Sequence, residues 1–433
     1  MKACVIAGLK TYTGKTTFVM GLIKLLKAMG RVSSFKIGPD YIDPICHYLA
    51  TGICSRTLDS FFLSPDMLRL HFARHSWDSD FVVVEGVMGV LDGLPDGRAS
   101  TDHVSSILNL PVVLLIESMQ TVYTLAAMVE GVLKRMKSEV LSIVFINVKN
   151  KRMFDFQRKA IERFTGVKVA GFIPFDERLR VPSRHLGLDT DFERYSEVAE
   201  TMAELIKLNV NLEGILGEVS VRKPDHEKLF KNDLSINLNK RIVAVSKDRA
   251  FRFIYPDNIT WFEDNGFKVV YFSPLYDETP PDASVYYLTG GYPELYAETL
   301  SRNKSMLKAM REIAEDSSLY LLAECGGFMY LTRSIRGYEM VGFIDGETLS
   351  SMGGLKRFGY EYAELLEDVL FPRGTNFKGH EFHYSIMKLR EKENALLIKK
   401  ASTSEEFVSG IAKKNTLASY THLYLPSLST EDG

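Results

Sequence analysis

The chain has 433 residues, more than the roughly 250–300 that usually share one hydrophobic core, so we expect two domains. Apolar residues make up 45% and charged residues 25%, as in a globular protein, and no apolar run reaches the roughly 18 residues of a membrane-spanning helix. The net charge of −2 argues against a dedicated nucleic-acid or polybasic membrane binder. The four cysteines form no CxxC pair and no zinc spacing, which favours a reduced, cytoplasmic setting.

The first half of the chain predicts a parallel sheet that is buried on both faces. Residues 3–7 (ACVIA) form the first apolar run, and a helix that ends at Gly30 follows it. Its apolar residues recur at helical spacing: Val19, Leu22, Ile23, Leu26 and Met29. Further apolar, β-rich runs alternate with helical patterns: VSSFKIG, FVVVEGVMG, VVLLIES and LSIVFINV. We therefore predict an α/β domain over residues 1–215.

A second α/β domain is predicted after a break in the pattern. Residues 216–239 are charged and lack periodicity, which is typical of a linker. The alternation of strands and helices then resumes with RIVAVSKD, FKVVYFSP, ASVYYLTGG and SLYLLAECGG. The second domain is therefore predicted over residues 240–433.

The stretch GLKTYTGKTT, residues 8–17, nearly matches a P-loop. The standard pattern has four residues between its first glycine and Gly-Lys-Ser/Thr, whereas Gly8 and Gly14 have five between them. A glycine-rich turn between a strand and a helix aims backbone N–H groups at an anion, and an ordinary turn is the alternative. Lys15 would reach the ATP phosphates and Thr16 would hold Mg²⁺. The other loop residues predicted to contact ATP are Gly8, Lys10, Thr13, Gly14 and Thr17.

Carboxylates at predicted strand ends complete this hypothesis. Asp40, in KIGPDYIDP, and Glu85, in VVVEGVMG, follow two of the strands, where an open α/β sheet binds its ligands. We predict that both join Thr16 as Mg²⁺ ligands, because nucleotide-bound Mg²⁺ needs protein oxygens. Asp43 and Asp92 are weaker candidates, and a solvated turn carboxylate is the alternative for each.

The second domain contains a candidate nucleophile. Cys325, in LLAECGGFMY, lies between an apolar strand and a Gly-Gly pair. We expect a cysteine on such a strand-to-helix turn to be exposed and close to a helix N-terminus, which would favour the thiolate. A buried core cysteine is the alternative. Backbone N–H groups of Gly290, Gly291 and Gly326 are predicted to form an oxyanion hole.

Several of these motifs together resemble known enzymes. GLKTYTGKTT is similar to the P-loop of dethiobiotin synthetase. The segments KIGPDYIDP, TLDSFFL, VEGVMGVLDG and RHLGL resemble the cobyrinate a,c-diamide synthase family, and so do GGYPELYAETL, AECGGFMYL, GHEFHYS and ASYTHLYL in the second half. The matches follow in order from about residue 3 to residue 425. The resemblance implies an N-terminal P-loop domain and a C-terminal, flavodoxin-like class I glutamine amidotransferase domain.

The resemblance also implies a reaction. These enzymes amidate the a and c acetate groups of cobyrinate through acyl phosphates, with ATP and glutamine as co-substrates and Mg²⁺ as cofactor. Ni-sirohydrochlorin, a precursor of coenzyme F430, and hydrogenobyrinate are alternative rings. A regulatory ATPase is a different class, which Lys10 favours because it is placed like the signature lysine of deviant P-loop ATPases. A further alternative is an enzyme that uses free ammonia instead of glutamine. The protein could also form a homodimer.

Further residue roles follow from the same resemblance. His422 would be the base for Cys325; two residues later stands Tyr424, where many class I enzymes have glutamate, so we expect a dyad. Asn147 would contact adenine. We assign His380, Glu381 and His383 a structural or substrate-facing role rather than a metal site. The residues expected to bind the tetrapyrrole carboxylates or lie beside them are Lys36, Asp43, Arg56, Arg184 and His185.

Overall fold

The structure, a computed structural model, describes residues 1–180, 192–224, 229–232, 238, 240–349 and 357–429. The chain divides into two compact units, Met1–Glu227 and Lys228–Gly433. Both contain a parallel sheet flanked by helices, which confirms the predicted α/β class. Within the described part of the chain, no helix has both the length and the apolar character needed to cross a membrane.

The first unit alternates strands and helices. Its elements are β1 (Lys2–Gly8), α1 (Lys15–Lys27), β2 (Val32–Ile37), α2 (Ile42–Thr51), β3 (Arg56–Leu58), α3 (Pro65–Ser76), β4 (Phe81–Glu85), α4 (Thr101–Leu108), β5 (Val112–Glu117), α5 (Tyr123–Leu133), β6 (Val140–Val148), α6 (Lys151–Thr165), β7 (Val169–Pro174), α7 (Phe192–Asn209) and β8 (Gly217–Glu218).

These strands form one sheet in the order β3-β2-β4-β1-β5-β6-β7, in which all neighbours are parallel. The short β8 adds to β1 in antiparallel fashion. The chain builds one side of the sheet up to β4 and the other side from β5 onward. The loops after β1, β2 and β4 therefore meet at the carboxyl edge, where such sheets bind ligands.

Helix α1 buries its apolar face, but it ends earlier than the sequence predicts. The helix stops at Lys27, and the N–H groups of Met29 and Gly30 both bond to the carbonyl of Leu26 in a tight turn. Met29 is 57% exposed, so its assignment to the apolar face was wrong. The fully buried side chains of this helix are Phe18, Val19, Leu22, Ile23 and Leu26.

The second unit begins as an α/β fold and ends almost entirely in strands. Its elements are β9 (Ile242–Ser246), β10 (Phe251–Phe253), α8 (Pro256–Asp264), β11 (Lys268–Phe272), β12 (Val285–Leu288), β13 (Gly290–Gly291), α9 (Ala297–Arg302), α10 (Lys304–Glu315), β14 (Tyr320–Glu324), α11 (Gly326–Leu331), β15 (Thr332–Ile335), β16 (Tyr338–Glu339), β17 (Ile344–Leu349), β18 (Arg357–Leu365), β19 (Asn376–His383), β20 (Ile386–Leu389), β21 (Leu396–Lys400), β22 (Glu406–Ser409), β23 (Ile411–Lys413), β24 (Thr416–Ser419) and β25 (His422–Tyr424).

The central sheet of this unit has the order β11-β9-β12-β14-β24-β23, parallel from β11 to β24 and antiparallel at β23. A five-stranded antiparallel sheet has the order β22-β21-β18-β19-β25. The smaller groups are β16-β15-β17-β20 and β10-β13. The sequence prediction named the strands of the parallel sheet up to β14 but not the antiparallel sheet, which carries His422 at the start of β25.

Two glycines test the packing of the first unit. A Cβ on Gly21, in α1, would come within 2.4 Å of Met202 Cγ in α7, whereas a Cβ on Gly131, in α5, would meet nothing within 4 Å. We expect Gly21→Ala to lower the free energy of unfolding by about 1–3 kcal/mol through overpacking. Gly131→Ala should raise it by about 0.5–1 kcal/mol, because alanine is the better helix former.

Urea unfolding of the full-length protein, followed by circular dichroism, measures both changes. If Gly21→Ala were as stable as Gly131→Ala, the close approach of α1 and α7 would be wrong.

Candidate functional site

The phosphate loop is compact despite its extra residue. A Cβ on Gly8 would lie 2.9 Å from both the carbonyl oxygen of Lys10 and Oγ1 of Thr13, so only glycine fits there. The Thr13 hydroxyl donates a hydrogen bond to the carbonyl of Lys10. Gly14 has a left-handed backbone (φ 81°) immediately before α1. The loop therefore ends at a helix N-terminus, whose first N–H groups have no partner within the helix.

The two lysines of the loop have different surroundings. Lys15 is buried, and its Nζ donates a hydrogen bond to the carbonyl of Met88 at 2.7 Å. Lys10 is largely exposed and forms an ion pair with Glu117 at 2.8 Å. Lys10 therefore has a partner within its own chain, which gives the regulatory-ATPase interpretation no added support.

Thr16 lies against two buried carboxylates. Its Oγ1 is 2.8 Å from Glu85 Oε1 and 3.0 Å from Asp43 Oδ1, and all three side chains are buried. A hydroxyl has one proton, so it donates to only one of these oxygens at a time. The three oxygens together form a donor set of the kind that Mg²⁺ prefers.

A buried lysine balances this negative charge. Lys36 Nζ lies 2.7 Å from Asp43 and 3.4 Å from Glu85, and it donates to the carbonyl of Gly86 at 3.0 Å. Burial alone would lower the pKa of Lys36, but the carboxylates of Asp43, Glu85 and Asp40 outweigh it and raise that pKa. Lys36 is therefore a permanent cation at the carboxyl edge of β2.

Asp40 is not the carboxylate that meets Thr16. Its Oδ1 accepts hydrogen bonds from the backbone N–H groups of Ile42 (2.8 Å) and Asp43 (3.1 Å), so it holds the turn that opens α2. Burial, followed by the charge of Asp43, raises the pKa of Asp40 to about 7, although Lys36 opposes this. The structure thus puts Asp43 where the sequence analysis put Asp40. Asp92 likewise stabilises a turn, by accepting from the N–H of Gly89 at 3.0 Å.

His47 is a residue that the sequence analysis missed. Its Nε2 lies 2.6 Å from Glu85 Oε2, and its Nδ1 lies 2.7 Å from the hydroxyl of Ser55. All three side chains are fully buried. His47 therefore fixes the orientation of Glu85, and the sequence carried no signal for it because the contact spans 38 residues.

The other residues of the first unit that were predicted to bind ATP or the tetrapyrrole lie on different elements. Thr17 is half-buried in the first turn of α1, and Arg56 begins the edge strand β3. Asn147 is exposed near the end of β6 and has a left-handed backbone (φ 58°). Arg184 and His185 lie outside the described residues.

Cys325 occupies a strained turn between β14 and α11. Its backbone has φ 47° and ψ −100°, a conformation that non-glycine residues rarely adopt. The side chain is only 5% exposed, so the expectation of an exposed cysteine was wrong. Burial raises the pKa of the Cys325 thiol to about 12, and the charge of Glu294 adds to the effect. The resting thiol is therefore protonated and needs a base.

The glycines around Cys325 have distinct positions. The backbone N–H groups of Gly326 and Gly291 both hydrogen-bond the thiol, and these bonds act against the rise in its pKa. A Cβ on Gly290 would lie 2.2 Å from Cε1 of His422, so glycine leaves space for the imidazole ring. Gly291 and Gly326 are thus the two predicted oxyanion donors that face the sulfur.

His422 has a carboxylate beside it, although Tyr424 does not supply it. Nδ1 of His422 is 3.6 Å from Oε2 of Glu324, the residue immediately before Cys325. Glu324 is held by the N–H of Leu423 (3.0 Å) and by the hydroxyl of Tyr287 (2.7 Å). The 3.6 Å between His422 and Glu324 is long for a hydrogen bond, as is common in active sites without a bound ligand. The dyad expected from the sequence therefore has a third member nearby, which only the pairing of distant strands reveals.

The GHEFHYS motif stabilises this region. Glu381 pairs with Lys400 (2.8 Å) and His383 (3.1 Å), and Lys400 also pairs with Glu361 (2.5 Å). His380 lies directly opposite His422 in the pairing of β19 with β25. Burial, followed by the charges of His422 and Lys400, lowers the pKa of His380 to about 3, so His380 stays neutral. These contacts fit the structural alternative of the structural or substrate-facing role that we predicted.

Comparison with known proteins finds a family match in each half of the chain. Residues 242–428 match the CobB/CobQ-like glutamine amidotransferase domain, and residues 66–183 match an AAA domain. A cobyrinate a,c-diamide synthase from Methanocaldococcus jannaschii is 36% identical over 98% of this chain and 96% of its own length. The proteins of that name from Listeria monocytogenes and Clostridium tetani are each 37% identical over 98% of this chain, and 96% and 97% of their lengths are covered.

This chain belongs to the cobyrinate a,c-diamide synthase family. The predicted family and the predicted pair of domains are thereby confirmed. The chain is a glutamine-dependent ligase that uses ATP, and Cys325 and His422 both lie within the segment matched by the amidotransferase domain.

In this member of the cobyrinate a,c-diamide synthase family, Glu324 lies close enough to His422 to affect the use of glutamine. Glu324→Gln removes the charge that would stabilise protonated His422, so ammonia release from glutamine should fall by roughly 10²-fold. Cys325→Ser should abolish ammonia release and gives the background rate of the assay. Glu339→Gln, at an exposed carboxylate of the same unit, is the matched control and should release ammonia normally. Ammonia release is measured with ATP and tetrapyrrole present.

Both active-site variants should still form amide from added ammonium at alkaline pH. Full glutamine-dependent activity of Glu324→Gln would show that this carboxylate does not assist His422.

Proposed function

We propose that this protein amidates the a and c acetate carboxylates of cobyrinate, with glutamine as nitrogen donor and ATP as energy source. The observation that carries the proposal is the presence of two reactive centres in one chain: the phosphate loop at Thr16 and the strained turn at Cys325. Relatives of that name, 36–37% identical along almost the whole chain, support the choice of ring.

The amidation requires an activated carboxylate, because oxide is a very poor leaving group. An acetate oxygen attacks the γ-phosphorus of ATP, the bond to the β–γ bridging oxygen breaks, and ADP leaves. Ammonia then adds to the acyl carbon, phosphate departs with the former acetate oxygen, and the proton that the nitrogen loses ends on the phosphate. Lys15, at the start of the helix that follows the phosphate loop, is suited to neutralise the transferred charge, and the attacking carboxylate needs no base.

The oxygens around Thr16 fit Mg²⁺. The hydroxyl of Thr16 and the carboxylates of Asp43 and Glu85 would hold it, and the two carboxylates together carry one more charge than the ammonium group of Lys36 balances. Mg²⁺, when bound, would neutralise the phosphates of ATP. His47 keeps Glu85 oriented for this role.

The amidotransferase unit would supply the ammonia. His422 takes the proton of Cys325, and the resulting thiolate attacks the side-chain amide carbon of glutamine. The N–H groups of Gly291 and Gly326, which hydrogen-bond the resting thiol, would stabilise the oxyanion. Ammonia leaves with the proton from His422, and water then hydrolyses the thioester to glutamate. The four cysteines are free thiols, which supports a proposed cytoplasmic location.

The choice of ring is tested by direct comparison of substrates. With ATP and glutamine, we expect cobyrinate to be converted to its a,c-diamide with the highest kcat/KM. Hydrogenobyrinate and Ni-sirohydrochlorin serve as competitors, and mass spectrometry counts the amides formed. Faster turnover of Ni-sirohydrochlorin would reassign the protein to the formation of coenzyme F430, and ATP hydrolysis without any amide would support a regulatory ATPase.

The acyl phosphate is tested with isotope. Cobyrinate labelled with ¹⁸O in its acetate groups should transfer one ¹⁸O to inorganic phosphate for each amide formed, because that oxygen leaves with the phosphoryl group. Removal of Mg²⁺ by a chelator should stop the transfer of ¹⁸O to phosphate. Any label that still reaches phosphate would come from exchange with solvent and not from the enzyme. Formation of AMP and pyrophosphate, or phosphate without label, would contradict the mechanism.

A further inference from the structure

The 3-10 turn after β13, residues Pro293–Leu295, contains a carboxylate that the mechanism above does not use. One oxygen of Glu294, Oε2, is buried and has no hydrogen-bond partner among the described residues. Burial raises the pKa of Glu294 to about 7, against the attraction of Arg336. A buried acceptor without a partner is costly, so such a group in a native structure calls for an explanation.

Glu294 lies beside the nucleophile. A Cβ on Gly326 would come within 2.9 Å of Gly291 N and 3.0 Å of Pro293 Cδ, so the turn that carries Glu294 packs directly on the start of α11. The negative charge of Glu294 raises the pKa of the Cys325 thiol. In the free protein, this carboxylate therefore opposes formation of the thiolate that the reaction needs.

A positive side chain lies next to the same turn. Arg336, in the exposed turn after β15, donates from Nη1 to the backbone carbonyl of Glu294 at 3.5 Å. Its bond goes to the backbone and not to the carboxylate, so the buried Oε2 stays available. An anionic and a cationic side chain thus flank the turn next to Cys325.

We propose that Glu294 binds the α-ammonium group of glutamine and that Arg336 binds its α-carboxylate. Glutamine carries both charges on one carbon, so two side chains of opposite charge complement it. The ammonium group would give Oε2 a partner and cancel the charge that opposes the thiolate. Binding of the correct substrate would thereby make Cys325 easier to ionise. The inference rests on the use of glutamine by this unit and adds how glutamine is recognised.

The experiment measures ammonia release by the full-length protein with ATP and tetrapyrrole present. L-glutamine is compared with 5-amino-5-oxopentanoate, which lacks the α-ammonium group. The unsubstituted protein should prefer L-glutamine by about 100-fold in kcat/KM, the value of a lost charged hydrogen bond. Glu294→Gln should lose about 100-fold on L-glutamine and less than about threefold on the analogue, so the preference disappears.

Three further comparisons sharpen the result. Glu298→Gln, at an exposed residue of α9, is the matched control and should keep the preference. Arg336→Met should instead lose the preference for L-glutamine over 4-aminobutanamide, which lacks the α-carboxylate. The unfolding temperature of Glu294→Gln should equal or exceed that of the unsubstituted protein, because Oε2 loses no bond.

Equal losses on L-glutamine and on 5-amino-5-oxopentanoate, or an unchanged preference in Glu294→Gln, would overturn the proposal. If Glu294→Gln does not fold, Glu294→Asp decides: a weakened preference for L-glutamine supports the proposal and an unchanged one overturns it. Failure of the unsubstituted protein to release glutamate from glutamine would instead refute glutaminase activity itself. The two failures are therefore distinguishable.

Discussion

Glu85 is a fully buried carboxylate, and the nucleotide end of the first unit is arranged around it. A buried charge is costly unless cations and hydrogen bonds balance it. The pairing of β2 with β4 sets Lys36 directly opposite Glu85, while Thr16 and His47 contact its two oxygens. Loss of Lys36 would leave the charge of Glu85 uncompensated in the core, and loss of Thr16 or His47 would leave one of its buried oxygens without that hydrogen bond. The hydrogen bonds and the ion pair of Glu85 thus hold the start of α1, β2 and α2 in fixed positions relative to one another.

Cys325, the proposed nucleophile of the second unit, is in the opposite electrostatic situation to Glu85. Cys325 is buried among groups that keep its thiol neutral, and its strained backbone is held by a hydrogen bond from its N–H to the carbonyl of Ser419 at 2.8 Å. Under the proposed mechanism, its reactivity would depend on three groups that act together: the imidazole of His422, the carboxylate of Glu324 and the N–H groups of Gly291 and Gly326. A thiol that stays protonated until glutamine binds would avoid side reactions of a permanent thiolate.

The comparison of sequence and structure separates two kinds of prediction. The apolar runs predicted most of the parallel strands of both units, because a strand buried on both faces has a local signature. The parallel strands of the two main sheets that the sequence analysis missed are β3, β7 and β24. The end of α1 and the exposure of Cys325 were predicted wrongly. The apolar spacing of α1 continues to Met29, although the helix itself ends at Lys27. The burial of Cys325 depends on the segments that pack over its turn, which the local sequence does not show.

The sequence by itself determined the loop that contains Lys15 and Thr16, the turn at Cys325, the match of both halves to one family and the alternation that builds each parallel sheet. These features depend on spacing within a few residues. The tertiary structure alone decided that Asp43 rather than Asp40 meets Thr16 and that His47 supports Glu85. It also decided that Glu324 approaches His422 and that Glu294 approaches Cys325. Each of these contacts joins a side chain to a distant segment through strand register and packing, which no local pattern encodes.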